Sequence, residues 1–170
     1  MAESNDGGPA GNGPSGAAGG QPGQPQVGVL SQYVKDLSFE NPGAPWPGGG
    51  PQGQPAINIA VDVQARRLND ENFEVELRIS AEAKAQDQAV FMAEVLYGGL
   101  FLLRNVPQES LEPFLLIEGP RLLFPFVRRV LADLTRDGGF PPLMVEPIDF
   151  AQLYRQRLAQ QGGAAGTAQA

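Results

Sequence analysis

The chain has 170 residues, contains neither His nor Cys, and carries 12 Lys and Arg residues against 19 Asp and Glu residues, a formal net charge of −7. These counts exclude imidazole bases, thiolate metal sites and disulfides, so they favour a function based on binding over one based on catalysis. The negative charge argues against nucleic acid or an anionic membrane as the main partner.

The two ends of the chain differ in composition from the rest. Residues 1–27 and 161–170 are rich in Gly, Ala and Gln, and such segments bury too little apolar surface to offset the entropy lost on ordering. We expect both to be disordered tails around a single domain at residues 28–160.

The first residues lack the basic and apolar regions of a secretory signal, and no apolar run approaches the ~20 residues that span a bilayer. We therefore expect a cytoplasmic protein without direct membrane insertion.

The first half of the domain reads as extended structure. A short mixed segment at residues 32–40 precedes a long loop rich in Gly and Pro at residues 42–55, and loops of this length are usually functional or disordered. Residues 57–65 and 73–83 then alternate apolar and polar side chains around a turn at residues 68–72. This period predicts two antiparallel strands with one face exposed to water.

The next run, residues 90–103, is apolar on both faces. A strand of this kind needs cover on both sides, and another subunit could supply the second cover. The pair Gly98–Gly99 inside the run predicts a bend or a bulge.

Helices are expected in the second half of the chain. Residues 107–117 predict a short helix that Gly119–Pro120 should break. Residues 121–136 predict the main amphipathic helix, with regular structure beginning near Pro125 and ending at Gly138–Gly139.

An extended segment at residues 144–147 leads to the last helix. Asp149 is the expected N-cap, with Gln152 three residues later in the capping-box position. Phe150 then begins the apolar stripe of a short helix. Antiparallel strands followed by helices indicate an α+β fold.

A search for catalytic patterns finds little. Residues 11–16 read GNGPSG, which matches a dinucleotide-binding pattern literally, but no strand or helix is predicted beside them. The chain has no phosphate-binding G-x-x-x-x-G-K-[ST] motif, so ATP hydrolysis is not indicated. Asp36 and Glu40 would stand ~13 Å apart on a strand, which is too far for a glycosidase pair. We expect no enzyme activity, no cofactor and no metal ion.

Five motifs spread over most of the chain are distinctive in combination. They are YVKDLSFENP (residues 33–42), FEVELRISAEA (73–83), FMAEVLYGGLF (91–101), GPRLLFPFVRR (119–129) and DGGFPPLMVEPIDFAQLY (137–154). In this order they resemble the SecB family of protein-export chaperones. The resemblance implies a four-stranded antiparallel sheet with two main helices on one face, assembled as a homotetramer that is a dimer of dimers. The interface residues that it implies on the main helix are Phe126, Val127, Val130 and Leu134.

The resemblance also implies a function. Family members are ATP-independent chaperones that keep precursors of exported proteins unfolded and deliver them to SecA, the motor of the translocase. The unfolded client would bind an apolar groove between the 42–55 loop and the last helix. The client contacts implied here are Trp46, Phe150, Leu153, Tyr154 and Leu158.

SecA would dock on an acidic face of the sheet. The positions that match the family are Asp36, Glu40, Met92 and Glu94. The family's C-terminal tail, usually acidic and polar, also contacts SecA, whereas residues 160–170 carry no charge here.

Two other functions stay open on the residues alone. A small-molecule-binding cup, lined by both faces of the 90–103 strand, predicts saturable ligand binding by a monomer or dimer. A purely structural assembly domain predicts an oligomer without affinity for unfolded chains. Trp46 at the tip of a long loop, together with the carboxylates of Asp36, Glu40 and Glu94, favours the chaperone over the structural domain.

Overall fold

The computed structural model describes residues 23–51 and 53–165. The pattern at residues 11–16 lies outside this part of the chain, as do most of the predicted N-terminal tail and the last residues of the C-terminal one. Within the described residues, regular structure runs from Gln26 to Ala165, so it extends past both predicted domain limits.

Four antiparallel strands form one sheet. They are β1 (Gln26–Glu40), β2 (Ala56–Arg67), β3 (Asn72–Ala85) and β4 (Gln88–Arg104). Their spatial order is β1-β4-β3-β2, so β1 and β2 are the edge strands. The mixed segment at residues 32–40 belongs to a 15-residue strand. Pairing with β4 along most of its length holds this segment extended despite its composition.

The helices follow in chain order. They are α1 (Gln108–Pro113), a π-helical segment (Phe114–Glu118), α2 (Gly119–Asp137) and α3 (Phe150–Ala165). α2 packs across β4 and β3, and the core lies between these layers. Its fully buried side chains include Leu77, Ile79, Val95 and Phe101 from the sheet and Leu123, Val127 and Leu131 from α2. Burial stabilises each by about 1.5–3 kcal/mol. The predicted α+β fold, with two main helices on one face of the sheet, is confirmed.

The predicted helix break at Gly119–Pro120 is wrong. The chain stays helical from α1 through the π-helical segment into α2. Pro120 falls at the junction between the π-helical segment and α2, and the helical backbone continues through it. Gly119 serves close packing instead, because a Cβ there would lie 3.0 Å from Cγ2 of Val75. α2 is also helical before Pro125, the position at which the sequence places its start.

Two other predicted helix ends, at Gly138–Gly139 and at Asp149, are confirmed. α2 stops at Asp137; the Gly138 N–H donates to the Leu134 carbonyl at 2.9 Å, and Gly139 adopts a φ of +89°. The Asp149 carboxylate accepts a hydrogen bond of 2.9 Å from the Gln152 N–H, as an N-cap does.

The two faces of β4 have different surroundings. Phe91, Val95 and Phe101 point toward the helices and are buried. The opposite side of the sheet, here called the open face, carries no helix of the described residues, and Leu96 and Leu100 are half-buried there. Two register shifts lie in the neighbouring strand β1, where Leu30 and Lys35 are extra residues, and a third lies at Val90 near the start of β4. None of them is at the two glycines of β4. Within the described ranges no helix is long and apolar enough to cross a membrane.

Candidate functional site

The four residues predicted to dock SecA lie together on the open face. Glu40 of β1 is directly opposite Met92 of β4, and Ser38 is opposite Glu94. Asp36 is two residues before Ser38 and therefore points to the same side. Directly opposed side chains in antiparallel strands have Cβ atoms about 4.5–5.5 Å apart. The set Asp36, Glu40, Met92 and Glu94 is called the docking face below.

The charges on the docking face are unevenly neutralised. The Glu94 carboxylate forms an ion pair with Arg78 and accepts a hydrogen bond of 2.8 Å from the Ser80 hydroxyl. Among the described residues, Asp36 and Glu40 form no ion pair. Met92 is 36% exposed between these carboxylates. The face thus offers two unneutralised charges beside an apolar thioether, a combination suited to a partner with basic and apolar groups.

A buried carboxylate lies next to the docking face. Glu74 of β3 accepts hydrogen bonds from the Tyr33 hydroxyl (2.7 Å) and the Lys35 ammonium (3.0 Å), and it also pairs with Arg66. Its side chain is only 3% exposed. Burial raises the pKa of Glu74, but hydrogen bonds from Tyr33, Lys35 and Arg66 outweigh burial and lower it to about 2. Glu74 therefore stays ionised at neutral pH. Neither the periodicity nor the motifs of the sequence point to this pairing.

Three of the five predicted client residues line two separate cavities. The larger one, called the loop groove, has a volume of about 730 Å³ and lies between the 42–55 loop and the segment that follows α2. Among the described residues, no charged side chain lines it. Its main side chains are Trp46, Pro55, Ile57, Phe91, Phe140 and Leu143.

The walls of the loop groove are fixed by polar contacts. The Trp46 indole N–H donates to the Asn41 side-chain oxygen at 3.2 Å, and the Asn41 amide donates to the Gly138 carbonyl at 3.2 Å. Gly43 leaves room for the indole, since a Cβ there would lie 2.1 Å from the ring. On the opposite wall, the Leu143 N–H donates to the Thr135 hydroxyl at 2.9 Å. The groove is therefore largely preformed.

The residues predicted on the last helix do not line the loop groove. Leu153 and Tyr154 line a smaller cavity of about 400 Å³ between β2 and α3, called the α3 cavity. Phe150 is 1% exposed and packs edge-on against Phe124 in the core, so it has no free surface for a client. Leu158 is 44% exposed and lines neither cavity.

Edge strand β2 runs between the two cavities. Ile57 lines the loop groove, and Val61 and Val63 line the α3 cavity. Ile59 is half-buried between them and points to the same side of the sheet. A row of apolar side chains along an edge strand thus connects the two cavities. The alternation at residues 57–65 indicates this row in the sequence, but not its position at an edge.

The predicted interface residues of α2 differ in how far they are exposed to solvent. Phe126 is 42% exposed and stacks on Tyr97. Val130 and Leu134 are half-buried, whereas Val127 is completely buried in the subunit core and offers no surface to another copy.

Sequence reasoning missed a further apolar row on β1. Its exposed members are Val27, Val29, Val34 and Leu37. Val34 is directly opposite Tyr97, on which Phe126 stacks, so the row and the exposed side of α2 are neighbours. They are called the assembly face below. The alternation of Val27 and Val29 is a signal in the sequence, but these residues fall at the margin of the predicted tail.

The chain is similar to known proteins over most of its length. The family model described as preprotein translocase subunit SecB matches residues 20–161. The chain belongs to the SecB family. Among its relatives, a protein-export protein SecB of Parvibaculum lavamentivorans is 56% identical over 158 residues, covering 92% of this chain and 94% of the relative. One of Maricaulis maris is 60% identical over 141 residues, covering 83% and 82%.

The fold agrees with this membership. A solved SecB-like chaperone of Mycobacterium tuberculosis, in complex with an antitoxin peptide, superposes with a TM-score of 0.59 at 20% identity and covers 72% of this chain and 90% of its own. SecB proteins are protein-export chaperones and not enzymes, so membership confirms the two predictions of family and of a non-enzymatic function.

Proposed function

We propose that this SecB-family chain holds precursors of exported proteins unfolded, without ATP, and passes them to SecA in the cytoplasm. The observation that carries the proposal is the loop groove, which is apolar, uncharged and preformed. Unfolded chains expose the apolar side chains that such a groove buries, at about 2.5 kcal/mol per 100 Å² before ordering costs are subtracted. Binding of this kind depends on the hydrophobicity of the client and not on its exact sequence, as a chaperone with many clients requires.

The client path that we propose runs from the loop groove along β2 to the α3 cavity. Trp46 lies at one end of the path, and Leu153 and Tyr154 lie at the other. The outer backbone of edge strand β2 has no strand partner in the described chain, so an extended client segment could add to the sheet there. Leu158 lies on the same helix, farther along, as a peripheral contact.

Self-association supports this function by multiplying the binding sites. We propose a homotetramer, a dimer of dimers, that uses the assembly face. The exposed apolar row on β1 and the exposed ring of Phe126 form a patch that single soluble chains rarely leave uncovered. The side-chain oxygen of Gln32, on the same strand, is buried without a hydrogen-bond partner among the described residues. Several grooves on one assembly give avidity for one long client.

SecA is the proposed partner of the docking face. The two unneutralised carboxylates Asp36 and Glu40 lie on the open face, away from the helices. The loop groove lies on the helix side, so SecA and client would approach different surfaces.

The experiment is calorimetric titration with one secreted precursor, added either denatured by rapid dilution or fully folded. Tight binding only to the unfolded form is expected. The variant Trp46→Ala should weaken this binding by about tenfold, because a half-buried indole contributes on the order of 1–2 kcal/mol to an apolar contact. Leu68→Ala, which removes an equally apolar side chain from the exposed turn after β2, is the matched control. Equal affinity for both forms of the precursor would contradict the proposal.

A further inference from the structure

The direction in which the β1 carboxylates point depends on one extra residue. Val34 is opposite Tyr97 and Asp36 is opposite Leu96. Lys35 is therefore the extra residue of a β-bulge and has no counterpart in β4. Side chains alternate along a strand, and therefore without this bulge Asp36 would turn to the helix side of the sheet. The bulge also brings Leu37 to the helix side.

Lys35 is held in place by contacts that cross the neighbouring strand. Its ammonium lies 3.0 Å from a Glu74 oxygen of β3 and also pairs with Glu76. The Tyr33 hydroxyl reaches the same Glu74 oxygen at 2.7 Å. Both side chains start on β1 and pass over β4 to reach β3.

Gly98 makes this crossing possible. It is the β4 residue opposite Tyr33 on one side and Glu76 on the other. A Cβ at this position would lie 2.5 Å from Cε2 of Tyr33 and 3.2 Å from Cδ of Lys35. Any other residue would push at least one of the two crossing side chains off the sheet.

We propose that the Lys35–Glu74 pair, seated over Gly98, is a positioning device that fixes the β1 bulge and so presents Asp36 and Glu40 to SecA. Lys35 and Glu74 are positioning residues, since they act through the carboxylates and not by contact with the partner. The inference rests on the proposed docking of SecA.

Three variants measured by calorimetry against purified SecA test the proposal. Lys35→Met and Glu74→Gln should each weaken binding about tenfold, because networked residues couple by ~0.5–3 kcal/mol. Lys35→Arg, which keeps the cation over Gly98, should bind within about threefold of the unmodified chain. Whether Lys35→Met weakens or strengthens the binding of SecA is decisive. Losing a cation beside an acidic face would by itself strengthen the binding of a basic partner, so stronger binding by this variant overturns the inference.

A structural readout separates positioning from general destabilisation. Amide hydrogen exchange at residues 34–37 should speed up in Lys35→Met, while capture of a denatured precursor stays unchanged. Glu71→Gln is the matched control, since it breaks the ion pair with Arg104 at the turn before β3 and does not touch the bulge. Equal weakening of SecA binding by Glu71→Gln would overturn the inference.

Asp36→Lys, measured in the same titration, distinguishes failure of the inference from failure of the docking proposal. If Asp36→Lys binds SecA as tightly as the unmodified chain, the docking face itself is wrong. If Asp36→Lys weakens binding but Lys35→Met and Glu74→Gln do not, the docking face stands and the positioning device does not.

Discussion

Glu74 is a buried charge that three neighbouring side chains hold in place. Its carboxylate is buried, and three donors from β1 and β2 converge on it. A buried charge is tolerated only when it is paired and hydrogen-bonded, and removing a partner leaves the remaining charge unsatisfied. Glu74 thereby links both edge strands to β3, because Tyr33 and Lys35 come from β1 and Arg66 comes from β2.

Acid titration of Glu74→Gln tests this network. The ordinary pKa of 4.5 falls to about 2 in the folded chain, so the unfolded chain takes up the proton first as the pH drops. The stabilisation is complete above about pH 4.5 and is lost between there and about pH 2, an effect on the order of 3 kcal/mol. The variant should be less stable at pH 7 and should lose less stability across this window, as measured by denaturant unfolding at pH 7, 4 and 3. An unchanged slope of stability against pH would contradict the assignment.

At the scale of elements, β1 and α2 each place their side chains in two different environments. β1 turns Asp36 and Glu40 to the open face and Val34 and Leu37 to the helix side. α2 places Leu131 in the core and leaves Phe126 exposed. Both elements can therefore stabilise the subunit with one side and meet a partner with the other, which explains why Phe126 and the adjacent Val127 have opposite surroundings.

Phe126→Asp tests the assembly face. A carboxylate placed in an apolar contact between copies must be desolvated, at a cost of several kcal/mol, so the variant should have a lower mass in sedimentation at micromolar concentration. Leu158→Asp is the matched control, because Leu158 on α3 is about equally exposed, at 44% against 42%, and it lies outside the assembly face. Retention of the full assembly by Phe126→Asp would show that this face is not an interface.

At the scale of the whole molecule, the candidate surfaces are separated by the sheet. The docking face lies on the open side, the loop groove and the α3 cavity lie beside edge strand β2, and the assembly face lies along the opposite edge strand β1. With this separation, the proposed client, SecA and further copies of the chain would not compete for the same residues.

Removal of residues 1–22 is the corresponding test of the tail. Their composition is too poor in apolar side chains to contribute to a core. The shortened chain keeps β1 from Gln26, and its assembly mass and its affinity for a denatured precursor should equal those of the full chain. A loss of assembly on shortening would show that the tail is part of the interface.

Local patterns determined much of this fold. The period-2 runs of β2 and β3 and the 3.6-residue stripe of α2 specify their elements, because each depends on neighbouring residues in the chain. The Gly138 and Asp149 helix ends follow from capping chemistry that spans only a few residues. The motifs then indicated the SecB family, and with it the positions of the docking face.

The break predicted at Gly119–Pro120 failed because packing of Gly119 against Val75 and the π-helical segment override local propensity. The division of the client residues between two cavities, and the burial of Phe150, depend on how α3 docks against β2 and α2. The Glu74 network depends on distant parts of the chain, because Lys35 and Tyr33 precede Glu74 by 39 and 41 positions. The sequence by itself determined the elements and the family. Only the tertiary structure decided which surfaces are free, because strand register and bulges set the direction of every side chain.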